Sequence, residues 1–476
     1  MMRRALPAAM VAAILLQACA VGPNYRRPET PLPESFRGQE VVQPESLADL
    51  PWWQVFQDDE LQALITEALR NNYDLQTAVA RVEQARGVLV STRSAIFPQG
   101  SYNAEAARGR SFFGFTGNRT FNTFLATFNL SWEIDLWGRI RRATESARAD
   151  LLASNEARRG VIVQLVSQVA TQYLSLRELD VELEINQRAT KTFQDTLELF
   201  QRQFEGGIGT KLAVERGAAA LAQAAALIPD TERRIVATEN AIGILLGWPP
   251  TPIPRGTTTL TREDLPPRPP AGLPADLLER RPDVQQNEEQ LRSSNAQVGV
   301  AVADFFPRIG LTALYGGQST ELEMIVKGPG NVWQIAASVA GPLFQGGRLI
   351  GNYKSAKANW EATKWQYEQT VLTALREVSD ALVDADKLVA VRDEDAKAVA
   401  ALQEASDLAT VRYTGGLATY FEVLEAQQQL FPAERTLAQT ELQQLLAVVE
   451  LYRALGGGWT VGEEELPLNA FPNWPN

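Results

Sequence analysis

Residues 123–134 read TFLATFNLSWEI, and apolar and mostly polar side chains alternate along them with a period of two. The apolar members are Phe124, Ala126, Phe128, Leu130, Trp132 and Ile134. This alternation predicts a β-strand with one apolar and one polar face. Shorter alternations occur at residues 102–106, 311–315 and 333–339. The sequence therefore predicts four strands.

The chain contains an internal duplication with one constant offset. Phe97-Pro98 recurs as Phe306-Pro307, 209 positions later. Other pairs at the same offset are Asp74 and Asp283, Gly138-Arg139 and Gly347-Arg348, Gly206-Gly207 and Gly415-Gly416, and Leu246-Gly247 and Leu455-Gly456. The apolar faces of the predicted strands coincide under this shift. We therefore expect two structurally equivalent halves.

Each half continues with a long segment that lacks proline. Residues 139–204 contain only Gly160 as a glycine, and residues 348–413 contain only Gly351. A continuous helix of that length extends over ~100 Å at 1.5 Å per residue. Both segments end at a Gly-Gly turn and return through residues 210–246 and 419–455. This pattern predicts two long antiparallel helical hairpins.

The predicted organisation has six segments. They are a signal peptide at 1–18, an extended N-terminal segment at 19–58, a first repeat at 59–247, a Pro-rich connector at 248–274, a second repeat at 275–458 and a C-terminal tail at 459–476. Within the repeats we expect helices at 59–95 and 275–303, strands at about 100–135 and 308–341, and hairpin tips at 205–209 and 414–418. The many prolines of the connector predict an extended strap.

The amino terminus predicts a lipid anchor. Arg3 and Arg4 precede a short apolar stretch that ends in LQAC at residues 16–19. This pattern resembles the bacterial lipoprotein signal, with cleavage before Cys19. Cys19 would then carry a diacylglycerol and an N-acyl chain, and Ala20 after it resembles the outer-membrane sorting pattern. The alternative is an ordinary signal peptide with an incidental cysteine.

Composition excludes several classes of function. There are 45 Lys and Arg against 57 Asp and Glu, so the net charge is −12 and argues against a nucleic-acid partner. Histidine is absent and Cys19 is the only cysteine. His-based triads, imidazole or cysteine metal sites and intrachain disulfides are therefore excluded. We nominate no catalytic residue, no metal ligand and no cofactor beyond the acyl chains.

The four strands constrain the assembly. They cannot close a barrel on their own, and an open sheet edge is not tolerated in hydrocarbon. Transmembrane barrels start at about eight strands, so several copies must pool their strands if these face lipid. The alternative is a soluble sheet whose apolar face is covered by helices.

Six motifs carry a family resemblance. They are CAVGPNY at 19–25, WWQVFQD at 52–58, WEIDLWG at 132–138, RPD at 281–283, PLFQGGR at 342–348 and YRALGGGW at 452–459. Together they resemble the TolC-like outer-membrane factors of tripartite, resistance-nodulation-division type efflux pumps, in the OprM-like lipoprotein branch (NodT type). The resemblance implies an α+β, mainly α fold with a two-fold internal repeat. It also implies a homotrimeric 12-stranded outer-membrane β-barrel continued by a long periplasmic α-helical barrel.

The resemblance implies transport and not catalysis. The chain would be a passive duct in the outer membrane that receives drugs or other small toxic compounds from an inner-membrane transporter and a periplasmic adapter. A type I protein-secretion channel and a metal-ion efflux duct stay open as alternatives. A carboxylate-based cell-wall hydrolase is the non-channel alternative, but acidic pairs such as Glu288-Glu289 are too frequent here to indicate one.

The hairpin tips are candidate docking sites. By resemblance, the tip residues that meet the adapter are Gly206, Gly207, Ile208, Thr210, Gly415, Gly416, Leu417 and Thr419. Glycine permits the positive φ of a tight turn and a close approach by a partner backbone. The alternative is a purely structural turn.

A candidate periplasmic gate follows the second tip. Phe421 and Glu425 lie one helical turn apart and match, by resemblance, the apolar and acidic positions that constrict the closed end of OprM-like channels. The offset makes Arg216 the counterpart of Glu425 and a candidate latch. Arg412 and Tyr413 match family positions that tie the tips together by hydrogen bonds. The alternative is a coiled-coil contact at Phe421 and a solvated charge at Glu425.

Overall fold

A computed structural model describes residues 20–38, 46–51, 55, 58–110, 120–256 and 271–457. Cys19, residues 257–270 of the connector and the predicted tail at 459–476 lie outside the described residues. The helices are α1 (Asp59–Asn71), α2 (Tyr73–Ser94), α3 (Arg139–Glu205), α4 (Lys211–Leu246), α5 (Leu277–Arg280), α6 (Pro282–Ala303), α7 (Arg348–Thr414) and α8 (Tyr420–Ala454). The strands are β1 (Gln99–Arg110), β2 (Thr120–Ile134), β3 (Arg308–Ser319) and β4 (Asn331–Ala340).

The four strands form one antiparallel sheet in the order β1-β2-β3-β4. The register aligns Tyr102 with Phe128, Phe128 with Tyr315, and Tyr315 with Trp333. These four aromatic side chains form one row on one face, and all of them are exposed. The mainly helical fold with four strands, predicted from the alternation and the repeat, is confirmed.

The helix predicted at 59–95 is interrupted at Asn72, so the expectation of one helix is wrong. Asn72 is extended, with a ψ of 128°. Its side-chain oxygen accepts from the Leu75 backbone N–H at 3.0 Å, while its side-chain nitrogen donates to the Leu245 carbonyl at 3.0 Å. The first bond caps α2 and the second bond ties the break to α4.

The helix predicted at 275–303 is also divided. A 3₁₀ turn occupies Pro274–Asp276, α5 follows, and α6 begins only at Pro282. Arg281 between α5 and α6 is extended, with a ψ of 119°. Proline disfavours the helical region for the residue before it and is well suited to the first helical position, which explains the break.

The two long segments without proline each form one helix. Both α3 and α7 contain 67 residues. The return helices α4 and α8 contain 36 and 35 residues and accommodate Pro229 and Pro432 in their interiors. No helix among the described residues combines the length and apolarity needed to cross a membrane.

The described chain divides into two compact units. Unit 1 contains the described residues within 1–30, 80–156 and 286–369, and unit 2 contains those within 31–79, 157–285 and 370–476. Unit 1 includes the whole sheet. Unit 2 has a helical core with fully buried side chains that include Ile65, Tyr173, Leu176, Ile242 and Tyr452.

Candidate functional site

The first hairpin tip, in unit 2, is a glycine turn that ends α3. The backbone N–H groups of Ile208 and Gly209 both donate to the Gln203 carbonyl, at 3.0 and 2.9 Å. Gly207 has a φ of +76°, and a Cβ there would meet nothing within 4 Å. Ile208 is 84% exposed. Thr210 caps α4, since its hydroxyl oxygen accepts from the Ala213 N–H at 3.2 Å.

The second tip repeats this geometry. The Leu417 N–H donates to the Arg412 carbonyl at 2.8 Å, and Gly416 has a φ of +73° with open space around it. Leu417 is 76% exposed, as Ile208 is at the first tip. Thr419 precedes α8 without a side-chain capping bond. Each tip therefore presents one exposed apolar side chain beside a glycine whose Cβ position lies in open space.

Of the candidate gate residues, the structure brings Arg216 to Phe421 and leaves Glu425 apart. The Arg216 guanidinium lies 5.2 Å from the centre of the Phe421 ring. This distance is typical of a cation–π contact. Glu425 is exposed, and within the described part of the chain it has no ion-pair partner. The two predicted latch residues are thus not paired in this structure.

Arg412 and Tyr413 join the second tip to other helices of unit 2. Arg412 Nε lies 3.6 Å from a carboxylate oxygen of Glu422 on α8. The Tyr413 hydroxyl accepts a hydrogen bond from the Gln203 side-chain amide on α3. Helices α3, α7 and α8 are thereby linked at the tips.

Tyr420, which the sequence analysis did not single out, is the centre of this link. Its ring lies edge-on to Tyr413 at 4.7 Å and to Phe200 at 4.8 Å. Its hydroxyl lies 2.7 Å from that of Thr196. The repeat offset pairs Tyr420 with Lys211. This difference between the halves is the signal that could have identified it.

A buried carboxyl group in unit 2 titrates near neutral pH. Burial raises the pKa of Glu178 to about 7, and the negative charge of Glu182 adds to the rise. Arg234 counteracts the rise but pairs directly with Glu182, at 2.8 Å. The Glu178 Oε1 atom is buried without a hydrogen-bond partner.

In unit 1, the chain directly after Cys19 is fixed to the junction between β2 and α3. The Val21 N–H donates to the Trp137 carbonyl at 3.0 Å. The buried Arg142 guanidinium donates to the Val21 carbonyl at 3.2 Å and to Asn24 Oδ1 at 2.8 Å. Gly22 has a φ of +98°, and a Cβ there would lie 2.5 Å from the Gly299 Cα. We call Ala20–Thr30 the N-terminal strap.

A buried glutamate on α6 holds the other part of the strap. Glu288 is 0% exposed and pairs with Arg27 at 2.6 Å and with Arg292 at 2.7 Å. The Tyr25 hydroxyl donates to it at 3.1 Å. Burial alone raises the pKa of Glu288, but the two guanidinium groups outweigh burial and lower it. Burial, with the charge of Glu288, raises the pKa of the Tyr25 phenol, which therefore stays a donor.

Among the described residues there is no group of three or more Cys, Asp or Glu side chains arranged to hold a metal ion. The observed features are glycine-tipped hairpins, an aromatic sheet face that the described residues leave exposed and a pinned N-terminal strap. An exposed aromatic row along antiparallel strands is a feature of transmembrane β-barrels.

Comparisons with known proteins identify the family. A family model described as outer membrane efflux protein matches residues 64–248 and 273–457, one match in each half. The chain is 33% identical over 471 residues to the solvent efflux pump outer membrane protein SrpC of Pseudomonas putida, covering 95% of this chain and 98% of SrpC. It is 30% identical over 450 residues to the cation efflux system protein CusC of Escherichia coli, with 94% and 97% coverage.

A solved structure has the same fold. The open state of the MtrE outer membrane channel of Neisseria gonorrhoeae matches with a TM-score of 0.84 and 30% identity. The match covers 93% of this chain and 99% of MtrE. The chain therefore belongs to the outer membrane efflux protein family, and the predicted resemblance is confirmed. It is an outer-membrane efflux channel, and the predicted location is confirmed with it.

Proposed function

We propose that this chain is the passive exit duct of a tripartite pump that exports drugs, solvents or other small toxic compounds, and that it catalyses no reaction. The observation that carries this proposal is the sheet, whose aromatic face is exposed along all four strands. Outward apolar and inward polar side chains are the pattern of a membrane barrel. The similarity to a solvent efflux protein supports small apolar cargo.

We propose that the working form is a homotrimer. Strands β1 and β4 form the two edges of the sheet, and each is paired on one side only. Unpaired edge groups cost several kcal/mol each in hydrocarbon, so β1 of one copy has to pair with β4 of the next. Three copies give twelve strands, an even number that closes a barrel.

The partners in this proposal are an inner-membrane transporter and a periplasmic adapter that docks on the tips. Exposed Ile208 and Leu417 offer apolar contacts, and the open space at Gly207 and Gly416 lets a partner backbone approach. The remaining tip residues, Gly206, Thr210, Gly415 and Thr419, shape the two turns.

We propose that Phe421 and Glu425 form the periplasmic gate. In a trimer, three copies of Phe421 make an apolar constriction that disfavours water, and three of Glu425 make a carboxylate ring. In this gate, Arg216 holds the Phe421 ring through the cation–π contact. The contacts of Arg412 with Glu422 and of Tyr413 with Gln203 hold the tips closed.

We propose that Cys19 bears a diacylglycerol and an N-acyl chain, which anchor the amino terminus in the outer membrane. The fixed position of Val21 and Gly22 beside the β2–α3 junction supports this, because the junction adjoins the strands. Cys19→Ser is expected to abolish labelling of the protein by a fatty-acid analogue. Unchanged labelling would show that Cys19 is not the acylated residue.

Deletion of the gene and growth on a panel of solvents, drugs, dyes and metal salts tests the cargo. We expect greater sensitivity to solvents and drugs, restored by the wild-type gene. The similarity to CusC makes a metal-ion duct the second candidate, and sensitivity confined to metal salts would favour it. Unchanged sensitivity to every compound, in a strain that expresses the pump, would contradict export by this chain.

A further inference from the structure

The face of the sheet opposite the aromatic row is lined mostly by polar and small side chains. The register places Ser101 beside Asn129, Asn103 beside Thr127, and Glu105 beside Leu125. It continues on the next strand with Gly316 beside Thr127 and Gln318 beside Leu125. We call this surface the polar face. It carries the side chains that point into the pore when the aromatic face meets lipid.

Three charged side chains occupy the polar face in the described strands, and two of them are paired. Glu133 accepts two hydrogen bonds from Arg139, at 3.1 and 2.9 Å. Arg308 donates to Asp304 at 2.9 Å. Both pairs lie where the strands meet helices α3 and α6, and each neutralises its own charge.

Glu105, the third, has no neutralising partner in the part of the chain that the structure describes. It is exposed in the middle of β1 and forms no ion pair within the described residues. Its cross-strand neighbours are Leu125 and, diagonally, Thr123 and Thr127, which carry no charge. Arg108 is three residues away but lies on the aromatic face, since side chains alternate along a strand.

We infer that Glu105 determines the charge preference of the pore within the barrel. The inference rests on the proposed function, because it needs the polar face to line a trimeric channel. Three copies of Glu105 would place three negative charges on a wall whose described strands are otherwise uncharged or internally neutralised. Such a ring concentrates cations and depletes anions in the pore. The duct thus favours cationic and neutral compounds over anionic ones at this level.

The test is the reversal potential of single channels in planar lipid bilayers under a KCl gradient, with purified protein that carries Phe421→Ala and Glu425→Ala so that the proposed gate does not set the ratio. Three charges about 10 Å from the axis, screened over about one Debye length in 0.1 M salt, change the cation-to-anion permeability ratio about fourfold. We expect Glu105→Gln to lower the ratio by that factor. Arg108→Gln is the matched control on the same strand, and we expect it to leave the ratio unchanged.

A second variant covers the case in which Glu105→Gln fails to insert. Cys19 is the only cysteine of the chain, and acylation would block its thiol, so Glu105→Cys supplies a single free thiol. A negatively charged methanethiosulfonate reagent is expected to restore the wild-type ratio. A positively charged reagent is expected to lower the ratio further.

The outcomes separate the two proposals. If the folded wild-type protein forms no channels, the proposed function fails. If it conducts but neither Glu105→Gln nor the charged reagents change the permeability ratio, the inference about Glu105 is overturned. A change with Arg108→Gln instead of Glu105→Gln also overturns it, because the aromatic face would then line the pore.

Discussion

Replacing Glu288 by glutamine is expected to release the N-terminal strap. Glutamine preserves the shape of the side chain but removes the charge that pairs with Arg27 and Arg292. Breaking a buried ion pair costs about 3–5 kcal/mol. Here Arg27 and Arg292 are 36% and 41% exposed, so water solvates them after the change and the cost falls to about 2 kcal/mol. The strap then opens about thirtyfold more often.

Limited trypsin digestion of the purified protein measures this opening. Arg26 is exposed but lies between Tyr25 and Arg27, which Glu288 holds, so the rate of cleavage after Arg26 follows the population of the released strap when opening is fast. The matched control is Glu289→Gln on the same helix. Glu289 contacts Arg292 at 3.0 Å but holds no strap residue in the structure, so its variant is expected to stay within about twofold of wild type.

The pH dependence provides a second readout for Glu288. Its folded-state pKa is lowered, so the ion pairs contribute fully above the usual pKa of a glutamate. Their contribution is lost as the pH falls through the lowered folded-state pKa. Strap opening in wild type should therefore rise only at acidic pH, while the higher opening frequency of Glu288→Gln should not depend on the titration of residue 288. Equal cleavage rates for wild type and Glu288→Gln at pH 7 would refute this account of the strap.

Three further predictions address the gate, the tips and the buried carboxyl group. Phe421→Ala combined with Glu425→Ala should raise the single-channel conductance, and a double variant with the wild-type conductance and cation selectivity would place the constriction elsewhere. Gly207→Trp with Gly416→Trp should abolish efflux but leave the trimer and its membrane insertion intact, because both sites open into empty space and the strain of a side chain at a φ of +76° or +73° is confined to the two exposed turns; normal efflux would contradict adapter docking there. The raised pKa of Glu178 means that its contribution to stability is complete below the unfolded-state pKa and is lost as the pH rises through about 7. Glu178→Gln should thus stabilise the protein by roughly 2–3 kcal/mol at pH 8 and leave it unchanged at pH 4, measured by thermal unfolding; an equal effect at both pH values would exclude this titration.

The sequence predicted the elements that local patterns encode. The alternation around Phe128 gave the strands, and the absence of proline gave the two 67-residue helices. The break at Asn72 was missed because it depends on a bond to the distant Leu245 carbonyl. The break at Arg281 had a local signal in Pro282, because proline disfavours a helical conformation for the residue before it.

The candidate sites were predictable only in part. The tip glycines have a local conformational signature, so their turns were predicted. The partner of Arg216 was not, because the offset relates equivalent positions and does not say which side chains touch. The role of Glu288 was also hidden, since a Glu-Glu pair in this acidic chain resembles many others until burial and Arg27 distinguish it.

The most direct test of the central claim is the single-channel conductance of the purified wild-type protein in planar bilayers. A trimeric export duct predicts discrete, uniform conductance steps that are absent from protein-free bilayers. The conductance of each step should increase when the gate residues Phe421 and Glu425 are both replaced by alanine. A correctly folded trimer that inserts but gives no steps, with or without the gate substitutions, would contradict the claim that this chain forms a channel.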